Sequence, residues 1–365
     1  MESLPLRRLL RGPEPTPDRL FFLSLWFRGH NNPRYAELLP RLRRLDRYLL
    51  VASDRRLPRG LEYRAYRWGR PLHRPVLMRL GSRRYPGLFT ADPSQIPTFS
   101  GPSVADVDDP TFTEAEASQL RHPNLAAYVV TAERTAARYR ELGVEKPYVV
   151  IPQGVSLASL TEPLLAAART QRDEGTVGVG YMAAFLLTDE DRDAANALYN
   201  VEHLLELWEE IRMRAPAARL WLIGNPSASL RRRLAGRDDV RLFGLLPREE
   251  ALAHAAAFDV AVYPRTKDQG IRAVKVAEFM GVGVPTVSYD YEVTQELRET
   301  GAGVLVDSPR AFAETVARLA TADDERLALA ETAGRVGRER DWDVLARRYE
   351  EEVLNRFLPP ATSAA

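Results

Sequence analysis

The stretch from residue 260 to residue 289 reads VAVYPRTKDQGIRAVKVAEFMGVGVPTVSY. It opens with a short apolar run, Val260–Tyr263, and closes with a second one, Thr286–Tyr289. Between them, residues 273–280 have the apolar spacing of an amphipathic helix. A helical crossover returns the chain to the end of the sheet at which the first strand began. The two strands are therefore expected to run parallel. This stretch therefore predicts a parallel β-α-β unit.

The same alternation extends through the rest of the chain and predicts an α/β fold with two doubly wound sheets. In the second half the further predicted strands are Val177–Met182, Arg219–Ile223 and Val240–Phe243, and the helices include Val201–Arg214 and Arg248–Ala257. In the first half the candidate strands are Leu20–Phe27, Tyr48–Ala52, Leu61–Tyr66, Gly87–Thr90, Ser103–Ala105, Ala127–Val130 and Tyr148–Ile151.

A chain of 365 residues is long enough for two domains of ordinary size. Residues 155–175 have weak periodicity, so we place the interdomain linker there. The predicted domains are residues 1–155 and 156–340, both Rossmann-like, followed by a final helix over residues 341–358.

Composition excludes several classes of protein. The chain has no cysteine, which rules out disulfides and thiolate metal sites. No apolar run approaches the roughly 20 residues of a membrane-spanning helix, and no signal peptide is evident, so we expect a cytoplasmic protein. The net charge is only +1, yet residues 1–90 hold 20 arginines against 7 acids. This asymmetry indicates either a solvated arginine surface or contact with a polyanion such as an anionic membrane.

Two glycines follow predicted strands at places where parallel sheets bind phosphates. Gly29 lies in the loop after the first strand, and Gly224 with Asn225 follows the strand Arg219–Ile223. A glycine before a helix N-terminus offers free N–H groups to a phosphate. A single glycine is a weak signal, however, and a plain turn fits equally well.

The loop after Tyr263 is more informative because it carries four cations. These are Arg265, Lys267, Arg272 and Lys275, and Glu278 follows one helical turn after Lys275. Cations converging on a helix N-terminus would suit a diphosphate, and a carboxylate one turn later could accept the two hydroxyls of a ribose. The spacing alone is equally consistent with a surface salt bridge between the lysine and the glutamate.

Several motifs resemble those of the family 4 (group 1) GT-B glycosyltransferases. Residues 278–287 (EFMGVGVPTV) resemble the family's E-A-M-A-x-G-x-P-V-V element, and residues 301–307 (GAGVLVD) resemble its G-x-x-G-x-L-V strand. In the first half, residues 128–133 (YVVTAE) and 149–155 (VVIPQGV) resemble the strand that leads to the interdomain hinge. The resemblance implies a GT-B fold, in which two Rossmann-like domains face a central cleft and the last helix crosses back to the N-terminal domain.

The resemblance also implies roles for individual donor-site residues. Glu278 matches the second glutamate of the family's E-x7-E motif, which is expected on the donor ribose. Where the first glutamate should appear stands Gly270, with Asp268 and Gln269 as possible substitutes near the sugar hydroxyls. Gly29 matches the N-domain glycine near the phosphates.

Three carboxylates, Asp106, Asp108 and Asp109, follow a short predicted strand. They resemble the Asp-x-Asp metal signature of the other glycosyltransferase fold, but their surroundings do not fit that fold, so the sequence disfavours a metal site. In the GT-B resemblance this strand end carries a residue close to the reacting sugar, and Asp108 falls nearest to that place. The three are therefore candidate catalytic residues, as hydrogen-bond acceptors or as a general base with a raised pKa. A solvated turn before Pro110 is the alternative.

One departure from the family pattern matters. The arginine and lysine that the family places on the diphosphate are replaced here by Tyr181 and by Tyr199 or Asn200. Either the cations after Tyr263 supply the missing charge, or the chain is a catalytically silent GT-B subunit that supports a partner enzyme.

The sequence thus predicts a glycosyltransferase that moves a sugar from a nucleoside diphosphate sugar to a hydroxyl of a glycan or lipid-linked acceptor. We expect retention of configuration and neither a metal nor a cofactor, because fixed cations can stabilise the departing diphosphate. The arginine excess favours contact with an anionic membrane, and the candidate docking helices are Met1–Arg11 and Pro33–Arg47. The arginines also fit a nucleic-acid-binding module, but no recognised motif accompanies them, so nucleic acid is not expected as a partner.

Overall fold

The computed structural model describes residues 17–24, 33–49, 75–191, 201–265 and 274–360. The chain divides into two compact units. The N-terminal unit comprises Met1–Gln153 together with Trp342–Ala365, and the C-terminal unit comprises Gly154–Asp341.

The N-terminal unit contains a sheet of six parallel strands in the order β2-β1-β3-β4-β5-β6. Its strands are β1 (Leu20–Ser24), β2 (Leu45–Leu49), β3 (Leu88–Thr90), β4 (Ser103–Val107), β5 (Leu125–Val130) and β6 (Tyr148–Val150). The described helices of this unit are Pro33–Arg41, residues 75–84, Glu114–Leu120, Glu133–Glu141 and Trp342–Arg348. The last of these, the C-terminal helix, continues through a π-helical segment, Tyr349–Leu354, to Asn355–Phe357.

The helix Pro33–Arg41 packs on the C-terminal helix of the same unit. Its apolar residues Tyr35, Leu38 and Leu39 are buried in one cluster with Trp342 and Tyr349. Such a stripe, spaced at three and four residues, is the core-facing side of an amphipathic helix. The apolar face that a membrane-docking helix would need is therefore already used within the protein.

The C-terminal unit contains a second sheet of six parallel strands in the order β12-β11-β10-β7-β8-β9. Its strands are β7 (Val177–Leu186), β8 (Ala218–Pro226), β9 (Val240–Gly244), β10 (Val260–Tyr263), β11 (Thr286–Tyr289) and β12 (Gly303–Val306). Its described helices are Glu162–Arg169, Glu202–Arg214, Ala228–Leu234, Arg248–Ala255, Val274–Gly281, Gln295–Thr300, Pro309–Thr321 and Asp323–Glu339. All four residues of β10 are buried, as expected for a central strand covered on both faces.

Two local predictions differ from the structure. Strand β2 begins at Leu45, not at Tyr48, because Leu45 and Tyr48 are both buried in this strand. Residues 155–175 contain the helix Glu162–Arg169, which packs against the helix Arg248–Ala255, and are therefore not an extended linker. This helix has a weak apolar pattern in the sequence, because only Ala168 of its residues is buried.

Candidate functional site

Each sheet has one point at which its strand order reverses, and open α/β sheets bind ligands beyond the carboxyl ends of the strands at such a point. In the C-terminal sheet it lies between β7 and β10, which are consecutive in space but not in sequence. In the N-terminal sheet it lies between β1 and β3. Ligand sites are therefore expected at these two points.

In the C-terminal sheet the predicted cationic loop leaves the reversal point directly. Tyr263 ends β10, Arg265 follows two residues later, and the helix Val274–Gly281 presents Lys275 in its first turn. Glu278 lies one turn further along the same helix. The structure therefore brings Arg265, Lys275 and Glu278 to the carboxyl end of one strand.

The electrostatics show that Lys275 lies among charged groups. Burial and, after it, the nearby charge of Arg265 lower the pKa of Lys275 to about 8, and Glu278 opposes the change. Two cations held close together in a partly desolvated place are unfavourable on their own. A bound anion would relieve this repulsion, and a diphosphate carries the charge to do so.

Glu278 has a partner that the sequence did not indicate. Its side chain is 9% exposed, and its carboxylate Oε1 lies 2.9 Å from Nη2 of Arg248. Arg248 begins the helix that follows β9, so the contact joins two β-α connections of the same sheet. The ion pair fixes the carboxylate at the end of the sheet, where it can accept hydroxyl hydrogen bonds. No local spacing links these two residues in the sequence.

The other predicted donor-site residues fall into two groups. Gly224 and Asn225 lie within β8, which extends to Pro226, and not in a loop that opens a helix. A Cβ on Gly224 would lie 2.2 Å from the carbonyl oxygen of Ala183, so this glycine is required by the close approach of β7 and β8. Packing thus explains the glycine without a phosphate. The remaining predicted residues, namely Gly29, Lys267, Asp268, Gly270 and Arg272, lie outside the described residues.

In the N-terminal unit a pocket of about 200 Å³ opens at the carboxyl ends of β3 and β4. It is lined by Tyr35, Ala91, Pro93, Asp106, Val107, Asp108, Asp109 and Glu116. Four of these residues carry a carboxyl group, and none carries a cation. The pocket therefore suits a neutral, hydroxyl-bearing group better than a phosphate.

Asp106, one of the three candidate catalytic carboxylates, is a buried structural residue. Its side chain is fully buried, with Nε of Arg34 3.0 Å from Oδ2, and the hydroxyl of Tyr349 donates to the same oxygen at 2.8 Å. Burial raises the pKa of Asp106, while the charge of Arg34 and the hydrogen bond from Tyr349 lower it. Because its carboxylate is already engaged, Asp106 is not placed to take a proton from an acceptor.

Arg34 is the centre of this network and was missed by the sequence analysis. Its guanidinium also donates to the carbonyl oxygens of Ile151 and Pro152, both at 3.0 Å, and to the hydroxyl of Tyr349. One side chain thus ties the helix after β1 to β4, to the end of β6 and to the C-terminal helix. An arginine among many in this region gave no local sign of such a role.

Asp108 and Asp109 remain as candidates at the pocket. The amide of Gln153 donates to Oδ1 of Asp108, which also lies 3.9 Å from Nε of Arg34. Asp109 keeps part of its surface exposed, while partial burial of its carboxyl group and the charges of Asp108 and Glu116 raise its pKa. These are the features of a carboxylate that can accept a hydrogen bond or a proton.

Neither a metal cluster nor a membrane-spanning helix occurs among the described residues. No group of three or more histidine, aspartate or glutamate side chains in this part of the chain has the arrangement of a metal site. No helix within the described ranges is long and apolar enough to span a membrane.

Comparisons with known proteins give a family match over part of the chain and a fold. Residues 194–322 match the family described as glycosyl transferases group 1. HepE from Anabaena in complex with UDP is similar in structure, with a TM-score of 0.67, 14% identity, and coverage of 92% of this chain and 99% of that chain. The glycosyltransferase WaaG, which is involved in lipopolysaccharide biosynthesis, has a TM-score of 0.60 at 12% identity, with 92% and 99% covered.

Sucrose-phosphate synthase from Thermosynechococcus elongatus is also similar, with a TM-score of 0.64, 15% identity, and coverage of 92% of this chain and 98% of that chain. A search of curated proteins gives no match. At these identities the structural likeness shows the fold alone, and the predicted GT-B fold is confirmed.

Proposed function

We propose that this chain is a group 1 glycosyltransferase, which transfers a hexosyl group from a uridine diphosphate sugar to a hydroxyl of a glycan or lipid-linked acceptor. The observation that carries the proposal is the cluster of Arg265, Lys275 and Glu278 where the strand order of the C-terminal sheet reverses. The choice of UDP rests on similar structures that hold UDP, HepE among them.

The cation cluster would take the place of the arginine and lysine that the family pattern has and this chain lacks. Tyr181, which stands in place of the arginine, is a buried residue of β7. Arg265 and Lys275 would supply the positive charge at the neighbouring strand, and fixed cations stabilise a departing diphosphate without a metal ion. Retention of configuration is the outcome that the family resemblance implies.

A panel of nucleotide sugars tests this function. Each sugar is incubated with the protein in EDTA, and UDP release and thermal shift are measured. We expect at least one UDP-sugar to raise the Tm and to release UDP, since a ligand that binds only the folded state stabilises it. If no nucleotide shifts the Tm, the chain is better described as a catalytically silent subunit. The anomeric configuration of the product, determined by NMR, tests retention.

The acceptor is proposed to bind at the carboxylate-lined pocket of the N-terminal unit. There Asp108 would accept a hydrogen bond from the acceptor hydroxyl, with Asp109 as an alternative acceptor at the pocket rim. A carboxylate that accepts hydrogen bonds from hydroxyl groups discriminates poorly between neutral sugars, but its negative charge disfavours a phosphate. The acceptor part that enters this pocket is therefore expected to be uncharged, even where the rest of the acceptor is anionic.

Replacing Asp108 with asparagine is expected to raise the KM for the acceptor by about tenfold, because one hydrogen bond to a charged group is weakened. UDP affinity should stay unchanged, since the pocket is built by the N-terminal unit. Glu114→Gln is the matched control, because the Glu114 side chain is 74% exposed in the same unit and does not line the pocket. An unaltered acceptor KM in Asp108→Asn would exclude this carboxylate from acceptor binding.

Contact with an anionic membrane surface remains a further proposal, supported by the 20 arginines of residues 1–90. The helix Pro33–Arg41 does not contribute an apolar face, since that face is buried, and the other candidate, Met1–Arg11, lies outside the described residues. We expect co-sedimentation with vesicles that contain phosphatidylglycerol at low salt, reduced at high salt and absent with phosphatidylcholine alone. No binding to anionic vesicles at low salt would remove the proposal.

A further inference from the structure

The hydroxyl of Tyr263 is buried at the end of β10 without a hydrogen-bond partner among the described residues. Tyr263 is only 1% exposed, so bulk water does not satisfy the hydroxyl either. An unsatisfied buried hydroxyl costs folding free energy, and each such group in a folded protein needs an explanation. Four other buried tyrosines have partners, which are the Tyr48–Tyr85 pair, Glu116 for Tyr139 and Asp106 for Tyr349, whereas the hydroxyl of Tyr128 has none among the described residues.

The surroundings of Tyr263 point to the missing partner. The guanidinium carbon of Arg265 lies 5.1 Å from the centroid of the Tyr263 ring. The same guanidinium acts on the ammonium of Lys275, so the phenol, the guanidinium and the ammonium belong to one cluster. This cluster lies at the carboxyl end of β10, beside β7, where the strand order reverses. An oxyanion attracted by the two cations would come close to the phenol.

The protonation of Tyr263 suits a donor. Burial raises the pKa of the Tyr263 hydroxyl above its ordinary value, and the charge of Arg265 only partly opposes this. The group therefore keeps its proton throughout the physiological range of pH and can donate it in a hydrogen bond. An oxygen of a bound anion is an acceptor of the right kind, and it would complete the hydrogen bonding of this buried hydroxyl.

We propose that Tyr263 is a donor-binding residue whose hydroxyl donates a hydrogen bond to a diphosphate oxygen of the nucleotide sugar, beside Arg265 and Lys275. This assignment rests on the proposed function. In the complex the phenol would gain the hydrogen-bond partner that the described residues do not provide. No motif in the sequence indicates this role, because the tyrosine reads as the last apolar residue of a strand.

The variant Tyr263→Phe tests the assignment, since it removes the hydroxyl and keeps the ring. The Tm of the free protein is expected to be equal to or above that of the wild type, because an unsatisfied group is deleted. The Kd for UDP and for inorganic pyrophosphate, measured by calorimetry, is expected to rise about tenfold through loss of a hydrogen bond to a charged group. Replacement of a tyrosine with only a structural role would not combine an unchanged or higher Tm with a higher Kd for UDP and pyrophosphate.

Tyr128→Phe is the matched control. The hydroxyl of Tyr128 is likewise buried without a partner, but it lies on β5 in the N-terminal unit. The control should keep the wild-type Kd for both ligands. Equal Kd values for Tyr263→Phe and the wild type would overturn the inference alone and would leave an ordered water as the partner. A wild-type protein that binds neither UDP nor pyrophosphate would overturn the proposed function and the inference with it.

Discussion

Replacing Lys275 with methionine is expected to reduce kcat/KM for the sugar nucleotide by about 10²–10³-fold, the usual loss when one preorganised charge-stabilising group is removed. The ammonium would contact the diphosphate, whose charge grows as the sugar departs. The Tm of the free variant is measured in parallel, so that a loss of activity is separated from a loss of stability. Loss of activity without loss of stability is the combination that marks a binding residue.

The pH dependence of UDP affinity follows from the same lysine. Burial, then Arg265, lowers the pKa of Lys275 to about 8 in the free protein, and Glu278 opposes the change. Arg248, paired with Glu278, adds a further cation to the surroundings. A bound diphosphate favours the charged form, so affinity is full below pH 8 and falls as the pH rises through this value. Between pH 7 and pH 9 the expected fall is about tenfold.

Lys275→Arg is the matched control, because arginine keeps its charge throughout this range. We expect it to retain measurable UDP binding and to lose the alkaline fall that the wild type shows. The titration of UDP itself affects both proteins equally, so only the difference between the two profiles reports on Lys275. A Lys275→Met variant with wild-type kcat/KM, or identical pH profiles for wild type and Lys275→Arg, would contradict the assigned role.

Replacing Arg34 with methionine is expected to lower the free energy of unfolding of the N-terminal unit by about 3–5 kcal/mol, the usual cost of breaking a buried ion pair. The side chains of Arg34 and Asp106 are both 0% exposed, so the variant leaves an uncompensated carboxylate in the interior. The carbonyl oxygens of Ile151 and Pro152 lose their donor as well. Urea titration, with hydrogen exchange to assign the transition to this unit, measures the effect.

Two further variants make this result specific. Arg34→Met combined with Asp106→Leu should recover part of the loss, because no buried charge is then left without a partner. Arg348→Met should cost no more than about 1 kcal/mol, since the pair that Arg348 forms with Glu352 is 37% and 41% exposed. If Arg34→Met destabilises the unit no more than Arg348→Met does, the network around Asp106 does not stabilise the fold as described.

The sequence determined those features of this protein that depend on short-range patterns. Strands β10 and β11 have the predicted bounds, because each is a short apolar run between clear ends. The placement of Lys275 and Glu278 on one helix follows from their spacing alone. The α/β class follows from the alternation of such elements along the chain, and family motifs identified the fold from a few local matches.

Only the tertiary structure decided how distant residues are paired. Arg248 meets Glu278, and Arg34 meets Asp106 and Tyr349, because the order of strands in each sheet brings separate β-α connections together. The lowered pKa of Lys275 and the lack of a partner for the Tyr263 hydroxyl among the described residues depend in the same way on what surrounds each group. Local periodicity carries information on which face of an element is buried. The partner across that face is set by chain topology. Desolvation shifts a pKa only after folding has buried the group.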